Sequence, residues 1–479
     1  MEGLGYNTNC YRSNYHKKKL VMKKYIFISL TLMICLNNSA QRIPGFKTLR
    51  YDEDYSYLKE DTSLNWFKKT KYTPLSKSGL TYISFGGEIR YQYFYSKNED
   101  WGDAPEDKDG YILTRYLIHA DFHAGKYFRT FFQLQSSFAN GKETFPSPVD
   151  ENQLDFHQAF VDVILPLNER HSLTVRAGRQ ELLYGSQRLI AVRDGPNSRQ
   201  SFDAVKLLYS RSKCKADLFF SHFVRAKPQI FDDGFSKTTT LWGAYIVRNK
   251  LPFLQNLDLY YLGLWKKMTT FDDGSGKELR HSIGSRIWSK VHNWRYDIEG
   301  VYQFGKFGEK SIDAWTLSFN TGYKFNAAKF RPEIEIKTEW ISGDATYGDK
   351  KLQTFNPLFP RGAYFGLASL IGPANLFDIH PSLTLELSKT LFLNIDDDIF
   401  WRYSKNDGIY GPNVLPIYSG KNNLYKFIGG QFSTDLVCTP NNFLNFRWEF
   451  TWFDAGDYLK AAGTGKDIFF AGVTAQLKF

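Results

Sequence analysis

The chain has 479 residues and an aromatic share of 17%, which excludes disorder over most of its length because so many aromatic side chains must be buried. Its mean hydropathy of −0.41 excludes a bundle of transmembrane helices, each of which needs about 20 consecutive apolar residues. The net charge is +11, but residues 1–40 carry six Lys or Arg and one acid, so the remainder carries only +6. This modest charge and the lack of a basic helix give no support to nucleic-acid binding.

The first 40 residues have the features of a leader. The apolar run at residues 26–36 is too short to span a bilayer and is typical of a signal-peptide core. A lysine pair precedes this run and a small-residue cleavage site follows it at residues 38–40, so the mature chain is expected to begin near Gln41. Met22 is the expected true start, which makes residues 1–40 an over-extended start plus a signal peptide. An uncleaved N-terminal anchor is the alternative.

From residue 80 onward, apolar and polar side chains alternate with a period of two, which is typical of β-strands with one polar face. In residues 83–95 the odd positions are mainly Ile, Phe and Tyr, whereas most even positions are Ser, Glu, Arg or Gln. A soluble sandwich also alternates, but here many strands place aromatic residues on one face and charges on the other, as membrane barrels do. About eighteen such segments occur. They predict an all-β fold, a transmembrane antiparallel up-and-down β-barrel over residues 80–479.

The connections between the segments alternate between short turns and long polar loops, as the periplasmic turns and external loops of outer-membrane barrels do. Both termini then lie on the periplasmic side, and residues 41–79 form a short N-terminal periplasmic segment, either a tail or a small segment in the barrel mouth. Short turns are predicted at residues 124–125, 166–171, 210–212, 326–329 and 440–442. Long loops are predicted at residues 97–110, 141–151, 343–376, 404–423 and 455–466.

Enzyme signatures are missing from the sequence, which has no G-x-S-x-G, P-loop, HExxH or CxxC motif. We therefore expect no catalysis and no cofactor. The tetrapeptide Phe-Asp-Asp-Gly occurs twice, at residues 231–234 and 271–274. Paired Asp residues before Gly can ligate calcium in an external loop or can simply form a turn, and the sequence leaves both interpretations open.

Period two places a row of basic side chains on the polar face of the strands, which faces the lumen of the predicted barrel. These side chains can be structural, because charged residues in a barrel interior pair with acids such as Glu88, Asp297 and Glu449. They can also line a pore that favours anions, since guanidinium groups bind carboxylates bidentately. Spacing alone leaves both interpretations open. The inward basic residues are Arg90, Arg115, Arg129, Arg176, Lys206, Arg280, Arg286, Arg295, Arg402 and Arg447.

One segment carries a more specific pattern. Residues 176–205 read RAGRQELLYGSQRLIAVRDGPNSRQSFDAV, with a Gly-Arg-Gln-Glu strand end, an Arg-Asp pair and a Ser-Phe-Asp strand start. In these motifs, and in PLFP at 357–360 with YFG at 364–366, the chain resembles the alginate export family of outer-membrane barrels. The resemblance implies an eighteen-stranded barrel with a positively charged constriction that passes anionic polysaccharide. It implies that Arg179, Arg188, Arg193 and Asp194 lie at the external end, where a loop can fold into the pore, and that Arg199 and Asp203 brace its return.

Together these features predict an outer-membrane channel of a Gram-negative bacterium for passive passage of anionic polysaccharide or oligosaccharide through an arginine-lined pore. The alternative is a general or differently selective porin, because the inward acids Glu333, Glu335 and Glu339 weaken the positive field. A non-transport role through the long loops is a third hypothesis.

The expected partners are outer-membrane lipid and anionic polysaccharide or small anionic solutes, with no nucleic acid. We expect a monomer that can also bind a periplasmic secretion partner. The expected pore and substrate-binding residues are Arg90, Arg115, Arg129, Arg176, Arg179, Arg188, Arg193, Asp194, Arg199, Asp203, Arg286 and Arg447.

Overall fold

The structure is a computed structural model that describes residues 45–62, 65–105, 108–142, 147–168 and 171–479. The predicted leader and its cleavage site therefore lie outside the described residues. Among the residues that are described, no helix is both long and apolar enough to cross a membrane.

Eighteen antiparallel strands form a closed barrel, because the first strand pairs with both the second and the last. This confirms the predicted all-β barrel of about eighteen strands. Closure gives every strand two neighbours, so no sheet edge is left with unpaired backbone groups. The strands are β1 Thr81–Lys97, β2 Tyr111–Ala124, β3 Phe128–Asn140, β4 Asn152–Asn168, β5 His171–Gln180, β6 Phe202–Arg211, β7 Cys214–Arg225, β8 Gly234–Leu251, β9 Gln255–Phe271, β10 Gly274–Val291, β11 Trp294–Phe307, β12 Lys310–Lys324, β13 Glu333–Ile341, β14 Leu376–Glu386, β15 Leu391–Arg402, β16 Phe427–Cys438, β17 Leu444–Ala455 and β18 Ile468–Lys478.

Burial alternates along the strands as the sequence pattern requires. In β1, Glu88 and Arg90 are buried inside the barrel, whereas Phe85 and Tyr91 on the other face are 44% and 47% exposed. Exposed aromatic and aliphatic residues recur on the outer face of the other strands, which is the surface that a membrane barrel presents to lipid.

The two ends of the barrel differ in their connections. At the end that holds the C-terminus, which we call the near end, short turns join the strands, and Gly125 adopts a positive φ of 64° in the turn after β2. At the opposite, far end, the described connections include long loops at residues 181–201, 342–375 and 403–426. The far end also has two tight turns at residues 272–273 and 308–309, which the predicted alternation of lengths did not include.

The apolar core lies inside the barrel, where two far-end loops fold into the lumen. We call residues 181–201 the inserted loop and residues 342–375 the long loop. Their apolar side chains, including Leu182, Ile190, Phe359 and Phe365, belong to one buried cluster with inward residues of the wall such as Phe202. The inserted loop and the long loop therefore occupy part of the lumen.

The N-terminal segment lies in the near-end mouth rather than extending away as a tail. Tyr51 packs edge-on against Phe131 and Phe160, with ring centroids 6.0 and 5.3 Å away. Arg50 donates hydrogen bonds to the carbonyl oxygens of Gly87 and Phe479 at 2.9 and 2.8 Å. These contacts attach the segment to the seam where the barrel closes.

Candidate pore constriction

The inserted loop and the long loop meet inside the lumen, where Phe359 packs against Phe202 and Phe223 of the wall. The amide of Ala191 donates to the carbonyl oxygen of Phe359 at 3.0 Å, and the amide of Phe359 donates to that of Leu189 at 2.9 Å. A short parallel bridge between Ile190 and Phe359 results. We call residues 181–201 and 355–366 together the constriction layer.

Asp194 anchors the inserted loop to the wall formed by β1 and β2. A guanidinium nitrogen of Arg115 lies 2.6 Å from the Asp194 carboxylate, and the Nε of Arg115 binds Glu88 at 2.9 Å. Arg90 donates to the carbonyl oxygens of Asp194 and Pro196 at 2.6 and 2.8 Å. Desolvation inside the barrel would raise the pKa of Asp194, but Arg115, Arg199 and Arg90 hold that pKa well below its usual range.

Arg188 anchors the same loop to the opposite side of the lumen. Its guanidinium lies 2.9 Å from Glu339 of β13 and donates to the hydroxyl oxygens of Tyr364 and Thr316 at 2.8 and 3.0 Å. Glu299 of β11 lies 3.6 Å away. Because Asp194 binds β1 and β2 while Arg188 binds β11 to β13, the inserted loop crosses the barrel from wall to wall.

Arg199 connects the inserted loop to the N-terminal segment below it. Its guanidinium pairs with Glu181 at 2.8 Å and donates to the carbonyl oxygen of Thr48 at 3.0 Å. The hydroxyl of Tyr51 donates to the Glu181 carbonyl oxygen at 2.8 Å. The near-end segment and the constriction layer are thus held by one set of contacts.

Cavities border the layer on both sides. The far-end cavity has a volume of about 650 Å³ and is lined by Phe94, Tyr111, Leu113 and Pro196, among others. On the near-end side, cavities of about 500 and 240 Å³ lie against the N-terminal segment and share Tyr51 in their lining. The far-end cavity reaches the inserted loop at Gly195 and Pro196, and the smaller near-end cavity reaches it at Leu183, Tyr184 and Gly185.

Comparison with known proteins identifies the family. The family model for alginate export matches residues 81–469. The chain belongs to the alginate export family. Solved structures with the same fold are outer-membrane porins, and at identities of 9–11% their likeness shows the fold alone.

Three of these structures show the extent of the likeness. OccK3 (OpdO) of Pseudomonas aeruginosa is 10% identical at a TM-score of 0.54, over 83% of this chain and 95% of that one. A BenF-like porin from Pseudomonas fluorescens Pf-5 is 9% identical at a TM-score of 0.56, over 83% and 98%. OccK2 (OpdF) of Pseudomonas aeruginosa, solved in complex with glucuronate, is 11% identical at 0.54, over 82% and 98%. No curated protein matches significantly.

Most of the arginines that the sequence placed in the lumen of this alginate export family barrel are paired with acids. Arg129 binds Asp121 at 2.7 Å and Arg176 binds Asp162 at 2.7 Å. Arg286 reaches Asp258 at 3.1 Å and also pairs with Asp297. Arg447 lies 3.0 Å from Asp435 and 2.9 Å from Glu449. These arginines therefore brace the wall and carry little free positive charge.

Two of the predicted pore residues lie outside the lumen. Arg179 and Asp203 face each other across β5 and β6 at 2.9 Å, while their neighbours Gln180 and Phe202 are fully buried inside the barrel. Because side chains alternate, Arg179 and Asp203 take the outward side at the far rim. Arg179 binds acids there, so the placement of this pair in the pore is corrected.

The basic side chains of the constriction layer that remain without an acid partner are Arg193 and Arg361. Arg193 has a positive φ of 56° and donates to the carbonyl oxygen of Pro412 at 3.4 Å. Arg361 is exposed, and among the described residues it binds the carbonyl oxygen of Tyr364 at 3.1 Å and forms no ion pair. A Cβ on Gly362 would lie 3.8 Å from the Arg193 Nε, so the two arginines are close. Sequence reasoning missed Arg361, although it directly follows the PLFP motif.

The wall from β13 to β17, which we call the acidic wall, carries an excess of inward carboxylates. Asp378 is fully buried, and both of its carboxylate oxygens lack a hydrogen-bond partner among the described residues. His380 lies 2.6 Å from Asp398 and 3.7 Å from Asp396, a grouping that the sequence did not predict because the histidine is on the neighbouring strand. The inward acids of this wall are Glu333, Glu335, Glu339, Asp378, Asp396, Asp398, Asp435 and Glu449.

Proposed function

We propose that this alginate export family protein is an outer-membrane channel for anionic oligosaccharide or polysaccharide. The observation that carries the proposal is the pair Arg193 and Arg361, whose guanidinium groups have no acid partner among the described residues of the constriction layer. A pore is selective for anions when free cations lie at its narrowest part. The paired arginines of the wall do not supply this field, so the selectivity is assigned to the loops.

The chemistry of the layer suits a chain of sugar carboxylates. A guanidinium group binds a carboxylate bidentately, and nearby acids such as Glu339 keep that binding weak enough for release. The solved OccK2 barrel, with the same fold, is in complex with glucuronate, a sugar carboxylate. This supports the substrate class, while the identity of the polysaccharide and the direction of transport stay outside the proposal.

Movement of the constriction layer is part of the proposal. The inserted loop is held at Asp194 on one side and at Arg188 on the other, and the N-terminal segment supports it from below. We expect small ions to pass the constriction layer in the conformation seen here. A polymer should pass only when the inserted loop is displaced. The far-end cavity of about 650 Å³ then acts as the vestibule.

The alternative function is a general or differently selective porin. The acidic wall favours it, because Glu333 and Glu335 share Arg295 as their partner and the acid left in excess opposes the passage of anions. The two functions differ in the sign of ion selectivity and in whether a uronate oligomer blocks the current.

The proposal places the barrel in the outer membrane of a Gram-negative bacterium, with its exposed aromatic and aliphatic face in contact with lipid. It takes the channel to be a monomer that needs no cofactor and no catalytic step. A periplasmic secretion partner fits the near-end mouth, where the N-terminal segment is seated.

The test is a bilayer recording of the full mature chain. Reversal potential is measured in a KCl gradient, and an oligouronate is then added, with a neutral oligosaccharide of equal length as the control. Anion selectivity with block by the oligouronate alone is the expected result. Cation selectivity, or equal block by both oligosaccharides, would favour the general porin.

A further inference from the structure

The first Phe-Asp-Asp-Gly copy lies at the far rim beside the start of β4. The amide of Phe231 donates to the carbonyl oxygen of Leu154 and the amide of Asp233 donates to the Asp155 carboxylate, each at 2.9 Å. The carboxylates of Asp155, Asp232 and Asp233 offer oxygen atoms within 4.8 Å of one another. The motif thus brings a third acid from a distant part of the chain to its own two.

Too few cations are present to neutralise these acids. Arg179 lies 3.4 Å from Asp155, but it lies closer, at 2.9 Å, to Asp203. The Lys227 ammonium binds the backbone carbonyl of Asp232 at 2.6 Å, not a carboxylate. Within the described part of the chain, neither Asp232 nor Asp233 forms an ion pair. Two negative charges remain even when Arg179 and Lys227 are both counted against the four carboxylates.

Asn152 supplies independent evidence for a cation site. Its side chain is 1% exposed, and its amide nitrogen donates to the Asp233 carboxylate at 2.8 Å. The oxygen of the same amide is buried with no hydrogen-bond partner among the described residues, as is one carboxylate oxygen of Asp232. Buried polar atoms without partners are costly and rare in folded proteins. Both atoms are oxygens of residues next to Asp233, and oxygen is the ligand atom that a hard cation such as Ca²⁺ takes.

We propose that Asp155, Asp232, Asp233 and the side-chain oxygen of Asn152 form a Ca²⁺ site at the far rim. Ca²⁺ takes six to eight oxygen ligands in flexible geometry, including carboxylates, amide oxygens and water. Mg²⁺ demands a near-ideal octahedron, and transition metals prefer sites with nitrogen or sulfur ligands. The ion fastens the loop at residues 226–233 to β4.

The second copy of the motif shows that the tetrapeptide alone does not make the site. Asp273 pairs with Lys310 and accepts a hydrogen bond from the amide of Gly348 at 2.7 Å. Asp272 accepts one from the amide of Gly420 at 2.8 Å. These carboxylates fasten the long loop and residues 403–426 to the turn, so this copy serves as an internal control.

The experiment is a calorimetric titration of the full mature barrel in detergent with CaCl₂, and separately with MgCl₂. We expect one Ca²⁺ per chain, bound at least about tenfold more tightly than Mg²⁺. Asp232→Asn and Asp233→Asn should weaken Ca²⁺ binding at least about tenfold, because each removes a charged ligand. Asp272→Asn in the second copy should leave binding unchanged.

Asn152→Asp keeps the test decisive if a loss-of-charge variant fails to fold. It adds a charged oxygen to the site and should tighten Ca²⁺ binding several-fold. No Ca²⁺ binding by the native chain, equal binding of Ca²⁺ and Mg²⁺, or unchanged binding in both Asp233→Asn and Asn152→Asp would overturn the assignment.

Discussion

The two sides of the lumen use charge in opposite ways. On β1 and β2, Arg90 and Arg115 are occupied by Glu88, by the Asp194 carboxylate and by loop carbonyls. On the acidic wall, Asp378 is buried without a hydrogen-bond partner among the described residues. The side that is rich in arginine is therefore close to neutral, whereas the side that is rich in acids buries a carboxyl group with no donor to stabilise its charge.

This difference changes how a pore is inferred from its strands. An arginine on an inward face contributes a positive field to the pore only if its guanidinium group is not paired with a neighbouring acid or bound by a folded loop. In this barrel the inserted loop takes Arg90 and Arg115 and brings Arg193 into the lumen, while the long loop brings Arg361. In the proposed channel we therefore assign the positive field at the constriction to the loops.

The largest effect is expected from removal of the arginine that holds the loop. In Arg115→Met, the buried Glu88 and the loop residue Asp194 lose their shared partner, and breaking a buried pair costs roughly 3–5 kcal/mol. Unfolding in urea should show that loss, and mean single-channel conductance should rise as the loop detaches. Arg447→Met, whose pair is partly exposed, is the matched control with a smaller effect. An unchanged conductance in Arg115→Met would contradict the docking role.

The contact between the two loops should be the next most sensitive. A Cβ at Gly362 would lie 2.5 Å from the Cδ of Pro196, so Gly362→Ala must push the loops apart. Such overpacking costs about 1–3 kcal/mol. Proteolysis within the inserted loop should become faster than in Gly430→Ala, where a Cβ meets nothing within 4 Å. Equal rates would show that the loops do not support each other.

Protonation of Lys71, in the N-terminal segment, should make the stability of the protein depend on pH. Burial, with Arg50 nearby, lowers the pKa of Lys71 to about 7. The unfolded chain keeps this proton up to the usual lysine pKa near 10.5, so it binds more protons than the folded chain between these values. Stability should therefore rise with pH from about 7 to about 10, by about 1 kcal/mol between pH 7 and 8. Thermal melts of Lys71→Met should lack this rise; a rise equal to that of the native chain would refute the assignment.

The smallest change, in stability and in selectivity alike, is expected at Asp378 of the acidic wall. Asp378→Asn removes a carboxylate that is buried without a hydrogen-bond partner among the described residues, so stability should hold or increase. Burial without a donor favours the neutral form of the carboxyl group, so anion preference, read from the reversal potential, should change little. A large increase in anion preference would mean instead that Asp378 carries a full negative charge in the folded barrel.

The sequence predicted the barrel because alternation, turn lengths and strand count are local features, and the structure and the family match confirm that fold. It could not predict the pairing, because the partners are distant: Arg115 meets Asp194 across 79 positions and Arg50 meets Phe479 across 429. The alternation of side chains at the end of β5 places Arg179 on the outward face, although its motif suggested a position in the pore. Arg361 emerges only once the long loop is seen to fold into the lumen.

The most direct test of the central claim is the reversal potential of the double variant Arg193→Gln, Arg361→Gln in a KCl gradient. Arg361→Gln is a surface substitution and should change stability by no more than about 0.5 kcal/mol, whereas Arg193 is partly buried, so Arg193→Gln alone is the control for folding. We expect anion preference to be lost in the double variant and retained in Arg129→Gln, which removes a paired arginine of the wall. If the double variant retained anion preference and Arg129→Gln lost it, the selectivity would come from the arginines of the wall and not from those of the loops.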